Sequence, residues 1–219
     1  YGRIVHLQPL SWRADGWPQI GQRLDDHGKG QPVSLHRLPA LPLAPCCLQT
    51  SDDFPCGQPG LQWQWQANPQ RRWLMPHAQG LRLRCAATAS DISLYRLPQL
   101  LLQKFPAERF HVQTAVHPMF SQDGDEAGIA IYGQRFAALR VRYCAPTLQL
   151  SLCHGWIDDR GETHQESIEL EAIAACNEIA LGFRVDYDGI VRFRYRLMQR
   201  EWQQVTPSFS AGAGKWIGA

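Results

Sequence analysis

Strict alternation of apolar and polar residues is the feature that most constrains how this chain can fold. It is clearest in two runs near the C-terminus, separated by Asp188-Gly189, a dipeptide typical of a two-residue hairpin turn. Because successive side chains of a β-strand point to opposite faces, each run has one apolar and one polar face. The pattern predicts a hairpin with a buried face formed by Ile179, Leu181, Phe183, Val185 and Tyr187 on one strand and by Val191, Phe193, Tyr195 and Leu197 on the other.

Shorter segments with the same period precede this hairpin, at residues 81–85, 110–116, 128–132, 139–143 and 148–153. Short strands at regular spacing, with turn residues between them, are typical of a two-sheet antiparallel β-sandwich. Residues 167–176 are the best helical candidate, although their pattern of isoleucine and glutamate also fits a strand. The sequence therefore predicts an all-β fold.

The stretch Gly60–Trp65 is predicted to open the sandwich. Leu61, Trp63 and Trp65 occupy alternate positions, with glutamines between them. Three large apolar side chains on one strand face can anchor a sheet that packs against a second sheet. We expect the later strands to build on this one, and we interpret the two tryptophans as core residues rather than as a sugar-binding platform.

The chain before residue 60 has a different character. Residues 1–9 have the pattern of a strand whose beginning is expected to lie before Tyr1. A turn is indicated at Ser11-Trp12 and residues 15–18, and further short strands are predicted up to residue 38. Residues 39–59 contain five prolines, which lack the amide donor that a sheet needs. We therefore expect three parts: residues 1–38 as the end of a larger domain, 39–59 as a linker, and 60–219 as the sandwich without its last strand.

Charge and cysteine content exclude several classes of protein. The 22 Lys and Arg residues nearly balance the 20 Asp and Glu residues, and the arginines are dispersed, so the sequence predicts no nucleic-acid partner. No apolar run approaches the roughly 20 residues that span a bilayer, so no membrane partner is predicted.

Seven cysteines cannot all pair with one another and show no zinc spacing. Buried free thiols are expected, among them Cys85, Cys144, Cys153 and Cys176, and they favour a reducing, cytoplasmic location.

The acidic residues do not form a recognisable catalytic centre. Hydrolysis of a glycosidic bond needs two carboxylates across the scissile bond. The acidic groups here, such as Asp52-Asp53 and Asp158-Asp159, fall in segments where turn formation explains them. Residues 123–126 (Asp-Gly-Asp-Glu) offer oxygen ligands for calcium but lack the full spacing of a calcium loop. We expect no required cofactor and leave a structural calcium ion open.

Two motifs resemble glycoside hydrolase family 43, which includes β-xylosidases and α-L-arabinofuranosidases. Residues 1–9, with Trp12 and Gly16-Trp17-Pro18, resemble the end of its five-bladed β-propeller. Residues 60–65, with Asn68-Pro69, resemble the start of the concanavalin A-like sandwich of its β-xylosidase branch, and residues 81–83, 127–130 and 216–219 match further on. The resemblance implies a jelly-roll sandwich of the concanavalin A or laminin G type, preceded by the last propeller strands.

The resemblance also implies an accessory role for this chain. The catalytic base, the general acid and the carboxylate that tunes the acid would lie upstream of Tyr1, in an enzyme that removes terminal xylose or arabinose with inversion. Arg3 matches an arginine that contacts the terminal sugar, with a structural ion pair as the alternative. His6 matches a histidine near a calcium ion on the propeller axis, although a hydrogen-bonded core histidine is also expected. Trp216 matches a loop that reaches over the pocket, and the alternative is a core tryptophan.

The implied partners are a xylo-oligosaccharide or arabinoside substrate bound through the propeller, the upstream propeller portion of the same enzyme, and a second copy in a homo-oligomer. Two rival hypotheses remain open from the residues alone. The sandwich could bind carbohydrate without catalysis, which requires an exposed aromatic platform on a sheet face. It could instead serve oligomer contacts only.

Overall fold

The computed structural model describes residues 6–23, 25, 27, 29–37, 47, 50–78, 80–86, 92–174 and 178–212. The chain divides into two compact units, Tyr1–Leu48 and Gln49–Ala219, which are described separately below. Within the described residues, the regular structure consists of β-strands and two single 3-10 turns, Arg71–Trp73 and Leu94–Arg96. Those residues form no helix of the length and apolarity that crossing a membrane requires.

The first unit contains two small antiparallel pairs. Strand β1 (Leu10–Trp12) pairs with β2 (Pro18–Ile20), and β3 (Gln22–Arg23) pairs with β4 (Gly30–Gln31). Residues 6–9 belong to no strand, and the turn predicted at Ser11-Trp12 is wrong, because both residues pair in β1. The turn predicted over residues 15–18 is present at Asp15-Gly16, although Pro18 already pairs in β2. There the Asp15 carboxylate accepts a hydrogen bond from the Trp17 amide, and Gly16 has a φ of +81°.

The second unit begins with short pairs at its periphery. Strand β5 (Trp63–Trp65) pairs with β8 (Leu101–Gln103), and β6 (Leu74–Met75) pairs with β7 (Arg82–Leu83). The prediction that β5 anchors the sandwich is wrong, because β5 belongs to neither large sheet and Leu61 is fully exposed. Trp63 and Trp65 are half-buried among other aromatic rings, since Trp65 contacts Trp73 with a centroid distance of 5.3 Å.

Two antiparallel sheets form the body of the second unit. The first sheet has the order β10-β11-β12-β13 and contains Glu126–Ile131, Arg135–Cys144, Thr147–Ile157 and Thr163–Ala174. The second has the order β16-β15-β14-β9, with β17 also paired to β15, and contains Gln203–Gln204, Ile190–Leu197, Ile179–Val185, Phe110–Val116 and Phe209–Ser210. The prediction of an all-β, two-sheet antiparallel sandwich is confirmed.

The predicted C-terminal hairpin is present and forms half of the core. Alternate residues of β14 and β15 are buried against alternate residues of β11 and β12, which is why a period of two is so regular in these strands. The turn differs from the prediction in length, because Asp186 and Ile190 still share a backbone hydrogen bond. The loop therefore has three residues, and Gly189, with a φ of +74°, takes its left-handed position.

Strand β13 corrects the one ambiguous segment. Residues 167–174 are extended and pair with β12, so the helical alternative is wrong. The register shifts between Leu150 and Ser151, where a β-bulge places one extra β13 residue opposite the partner strand. The bulge interrupts the alternation of inward side chains, and this interruption produced the helix-like spacing of apolar residues in the sequence.

The expected burial of the thiols is only partly observed. Cys153 is buried, whereas Cys85 and Cys144 are exposed, together with Cys56 and Cys47. All five are free thiols in the described residues. The exposed pair was misjudged because Cys144 is the last residue of β11 and Cys85 lies two residues after β7, where apolar neighbours in the sequence do not imply burial.

Candidate functional site

One end of the sandwich gathers aromatic and polar side chains from both sheets. Strand β11 begins there with Arg135, β12 ends there beyond Trp156, and β13 begins beside them near His164. Phe209 of the second sheet closes the same end, because its ring lies 5.6 Å from the His154 ring and 5.6 Å below the Arg135 guanidinium. We call this region, defined by these five residues, the loop end.

The loop end also marks where the chain continues past residue 212. The Ala211 amide donates to the Gly189 carbonyl over 3.0 Å, and Ser210 pairs with Ile190 at the start of β15. The last described residues, 211 and 212, therefore follow Phe209 at the loop end. Trp216 and Arg3, two of the predicted site residues, lie outside the described residues. His6 is described as exposed and belongs to no strand, and its metal role stays a prediction.

A cross-strand row gives the loop end its aromatic surface. Arg135, Trp156 and His164 are register partners on three adjacent strands. The Trp156 and His164 rings are stacked, with centroids 5.4 Å apart and an angle of 18° between their planes. Trp156 keeps 36% of its surface exposed, so the row presents an aromatic side chain flanked by two cation-forming ones. Sequence reasoning missed this row, because its members come from three strands whose register no local motif encodes.

The turn after β12 holds a small cluster of ligand-type groups. The Asp158 Oδ2 atom lies 2.9 Å from His164 Nε2, and its Oδ1 accepts the Arg160 and Glu162 amides. The hydrogen bond from His164 and the Glu162 amide hold the pKa of Asp158 below its usual range. Asp158, Glu162 and His164 offer ligand atoms within 4.8 Å of one another, so this cluster is where a metal ion could be held. An ionised carboxylate on an exposed turn is unsuited to be the general acid of a glycosidase, which needs a raised pKa.

His154 lies behind this row and is a neutral packing residue. Its ring contacts Phe209, and its Nε2 atom is buried without a hydrogen-bond partner. Burial lowers the pKa of His154, Glu166 acts in the opposite direction, and Arg135 lowers it further. The imidazole is therefore uncharged at neutral pH, which fits its position between the two sheets.

Three further aspartates accept hydrogen bonds from backbone amides in loops and turns. Asp25 accepts the His27 and Lys29 amides, and Asp125 accepts the Ser121 and Gln122 amides. The oxygen ligands proposed for calcium are used in the same way, since Asp123 accepts the Ala145 amide over 3.0 Å. The loop end thus offers a ligand an exposed tryptophan face with polar side chains beside it.

Comparison with known proteins gives the family. Residues 51–219 match the family of beta-xylosidase C-terminal concanavalin A-like domains. A protein of Xylanibacter ruminicola, named as a candidate beta-xylosidase, is 34% identical over 140 residues, which is 63% of this chain and 26% of that protein. The non-reducing end alpha-L-arabinofuranosidase BoGH43B of Bacteroides ovatus is 27% identical over 132 residues, or 59% of this chain and 24% of that protein. The chain thus spans about a quarter of the length of these relatives.

A solved structure shows the same fold. It is a glycoside hydrolase of family 43 engineered to display both endo-xylanase and exo-arabinofuranosidase activity, with a TM-score of 0.67 and 20% identity. The match covers 94% of this chain and 42% of that chain. On the match of residues 51–219, the chain belongs to the family of beta-xylosidase C-terminal concanavalin A-like domains found in glycoside hydrolase family 43.

Proposed function

We propose that this chain is part of an inverting exo-glycosidase that removes terminal xylose or arabinose from xylan-derived oligosaccharides. The observation that carries the proposal is the match of residues 51–219 to the beta-xylosidase C-terminal domain. Relatives named as a beta-xylosidase and an arabinofuranosidase support the substrate class. In this proposal the acid and base belong to the propeller, and the sandwich narrows the pocket so that only chain ends enter.

The geometry of the loop end supports the pocket-shaping role. Phe209 lies under the Arg135 guanidinium, and the Ala211 amide donates to Gly189 of the hairpin loop, so the last described residues lie at an end of the sandwich. An aromatic side chain on such a segment can stack on a sugar ring and exclude water from a neighbouring site. Trp216 is our candidate for that contact, and Arg3 is our candidate for holding the terminal sugar through its guanidinium.

The test compares this chain with the full-length enzyme on aryl β-xyloside and aryl α-arabinofuranoside. The full-length enzyme should turn over at least one of the two, and NMR of the first product should show inversion at the anomeric carbon. The chain alone should show no turnover, because it lacks the acid and base. Measurable hydrolysis by the pure chain would overturn the placement of the catalytic carboxylates.

A second candidate function is carbohydrate binding without catalysis, which the half-exposed Trp156 beside Arg135 and His164 favours. Titration of the chain with xylo-oligosaccharides, followed by tryptophan fluorescence, tests this candidate. A saturable change that Trp156→Ala abolishes would support it. An unchanged spectrum at millimolar sugar would leave the domain a structural part of the enzyme.

A further inference from the structure

A solvent-open cavity of about 340 Å³ lies on the second sheet, at the end where β9 begins and β14 ends. Its lining consists of Arg109, Phe110, His111, Arg184 and Tyr187. This volume is at the lower end of the roughly 300 to 1,000 Å³ that is usual for small-molecule sites. Three of the five side chains are basic, two are aromatic, and none is a carboxylate, so the lining suits an anionic ligand.

The basic side chains are placed by the strand register. His111 of β9 and Arg184 of β14 are direct cross-strand partners, and Arg192 of β15 is the next residue in the same row. Phe110, before His111, points into the core, so this row lies on the outer face of the sheet. The Asp186 carboxylate accepts hydrogen bonds from the Nε and Nη2 atoms of Arg184, both over 2.8 Å, and it also pairs with the Arg192 guanidinium. One carboxylate is thus shared by two guanidinium groups, and the row keeps a positive charge.

The aromatic side of the cavity is also prepared for a ligand. Tyr187 is 73% exposed, and the Arg109 guanidinium lies 5.8 Å from the centroid of its ring. An exposed tyrosine face is suited to stack on a sugar ring. A guanidinium beside it can form a bidentate pair with a carboxylate, which an ammonium group cannot do as well.

From these contacts we propose that the cavity binds the carboxylate of an acidic sugar, such as a glucuronic acid side group on a xylo-oligosaccharide. Arg109 forms the bidentate pair with the carboxylate. Arg184, whose Nε and Nη2 already donate to Asp186, adds its positive charge and its Nη1 donor. His111 donates a further hydrogen bond, and Tyr187 stacks on the ring. The proposal names a substrate class and in that respect rests on the proposed glycosidase function. In this proposal the sandwich recognises acidic substituents on the substrate.

The test is a binding experiment on the chain itself, by NMR or calorimetry, with three probes. These are a xylo-oligosaccharide carrying one glucuronic acid, the same oligosaccharide without it, and sodium acetate. The acidic oligosaccharide should bind at least about tenfold more tightly than either of the others, as expected for one added charge-assisted hydrogen-bonded pair. Raising the salt concentration should weaken this binding.

Variants separate this cavity from general electrostatic attraction. Arg109→Gln and Arg184→Gln should each lose about tenfold in affinity for the acidic oligosaccharide. Tyr187→Ala should weaken oligosaccharide binding without changing acetate binding. Arg160→Gln removes a charge of the same kind from the exposed turn after β12 and should bind as the unmodified chain does. Thermal unfolding checks that each variant is folded.

Three results would overturn the inference: equal affinity for the acidic and neutral oligosaccharides, acetate binding as tight as the acidic oligosaccharide, or an effect of Arg160→Gln as large as that of Arg109→Gln. Because the binding experiment needs no catalysis, failure of this inference can be told apart from failure of the proposed function. A full-length enzyme that hydrolyses aryl xyloside, combined with no preference for the acidic probe, counts against this cavity alone. A full-length enzyme inactive on both aryl glycosides counts against the proposed function.

Discussion

Asp52 shows how a single side chain fixes the segment that leads into the sandwich. Its Oδ1 atom accepts a hydrogen bond from the Phe54 amide over 2.9 Å. Its Oδ2 atom accepts hydrogen bonds from the Gly60 amide over 2.9 Å and from the Trp63 indole Nε1 over 3.0 Å. Burial by itself raises the pKa of Asp52, but the hydrogen bonds from Gly60, Phe54 and Trp63 outweigh it, so the pKa lies below its usual value. The ionised carboxylate therefore links Trp63 to the Pro-rich segment that precedes it through hydrogen bonds.

Replacing Asp52 by Ala should lower the free energy of unfolding by about 1 to 2 kcal/mol at pH 7, after allowance for partial exposure. Asp53→Ala, at the exposed neighbouring position, should change it by less than about 0.5 kcal/mol. The folded pKa of Asp52 is below its unfolded value of about 3.9, so its contribution is present above that pH and is lost as the pH falls further. Urea unfolding at pH 7 and pH 3 measures both effects, and a gap between the two variants that stays constant into acid would contradict this account.

The thiols offer a second test at the residue scale. Cys144 is exposed and Cys153 is buried, with 1% of its surface accessible. A thiol reagent should therefore modify Cys144 in the native protein and reach Cys153 only after unfolding. Peptide mapping by mass spectrometry before and after denaturation shows which thiols react. Labelling of Cys153 at the same rate as Cys144 under native conditions would show that the β12 region opens far more readily than its burial implies.

At the scale of strands, alternation predicted the elements that have one fully buried face. Strand β9 was predicted residue for residue. Strands β14 and β15 were predicted with two errors, the length of the turn and Tyr187, which was expected on the buried face but lies beyond β14 and is exposed. Strand β13 was ambiguous because its bulge shifts the inward positions, and a bulge depends on the partner strand rather than on the segment itself. Strand β5 was given too much weight because two tryptophans can be half-buried under a loop as readily as in a sheet core.

The same limit applies to the site. Arg135, Trp156 and His164 meet only because three strands pair in one register, and the cavity of Arg109 and Tyr187 joins a strand start to a hairpin loop. Neither arrangement has a motif of fixed spacing. Membership of the family was predictable from two motifs, whereas the side chains that shape the surface of the domain were not.

Close contact between β12 and β11 gives a test of packing at the strand scale. Gly155 has no side chain, and a Cβ atom there would overlap the ring of Phe136, which is completely buried and contacts Tyr95 at 5.2 Å. Gly155→Ala should therefore lower the free energy of unfolding by about 1 to 3 kcal/mol through overpacking. Gly212→Ala, where a Cβ meets nothing within 4 Å, should change it by less than about 0.5 kcal/mol. Chemical denaturation compares the two, and equal stability would show that the Phe136 ring moves aside without cost.

A hydrogen bond between the two sheets makes a prediction about alkaline stability. The Tyr195 hydroxyl of β15 donates to the Glu171 carboxylate of β13 over 2.8 Å. Burial, with the hydrogen bond and negative charge of Glu171, raises the pKa of Tyr195 to about 12. The folded pKa is above the unfolded value of about 10, so this contribution is complete below pH 10 and is lost as the pH rises towards 12.

Tyr195→Phe should accordingly lower the free energy of unfolding by about 1 kcal/mol at pH 8, because the hydrogen bond is removed. Above pH 10 the stability of the variant should decline less steeply than that of the unmodified chain. The difference in free energy of unfolding between the two proteins, called the gap below, should therefore close. Denaturant titrations at pH 8 and at pH 11 measure the difference. Tyr187→Phe, at a tyrosine with 73% of its surface exposed, is the matched control and should change the free energy of unfolding by less than about 0.5 kcal/mol at both pH values. A gap that widens with pH would contradict the inter-sheet bond.

At the scale of the whole chain, the buried apolar clusters of the described residues lie in the second unit. The buried cluster runs from Ile131 to Phe209 and takes its members from both large sheets. A second, smaller cluster of Phe136, Ala138 and Cys153 lies on the outer face of the first sheet, covered in part by Leu94 and Tyr95. Two layers of this kind satisfy the requirement that each sheet bury one face against another element. A domain with its own core is expected to fold without the rest of the chain.

A chain that begins at Gln49 and ends at Ala219 should therefore fold by itself. It should unfold in one cooperative transition, with coincident loss of far-UV and near-UV circular dichroism, because the core residues of both sheets form one cluster. Leu150→Ala, at a position with no exposed surface, should lower the stability of this shortened chain by about 2 to 5 kcal/mol, as in other tightly packed cores. Leu61→Ala, at a fully exposed position, is the matched control and should be neutral. A shortened chain that keeps its far-UV signal but lacks near-UV signal and cooperativity would show that residues 1–48 are needed for the packing of the sandwich.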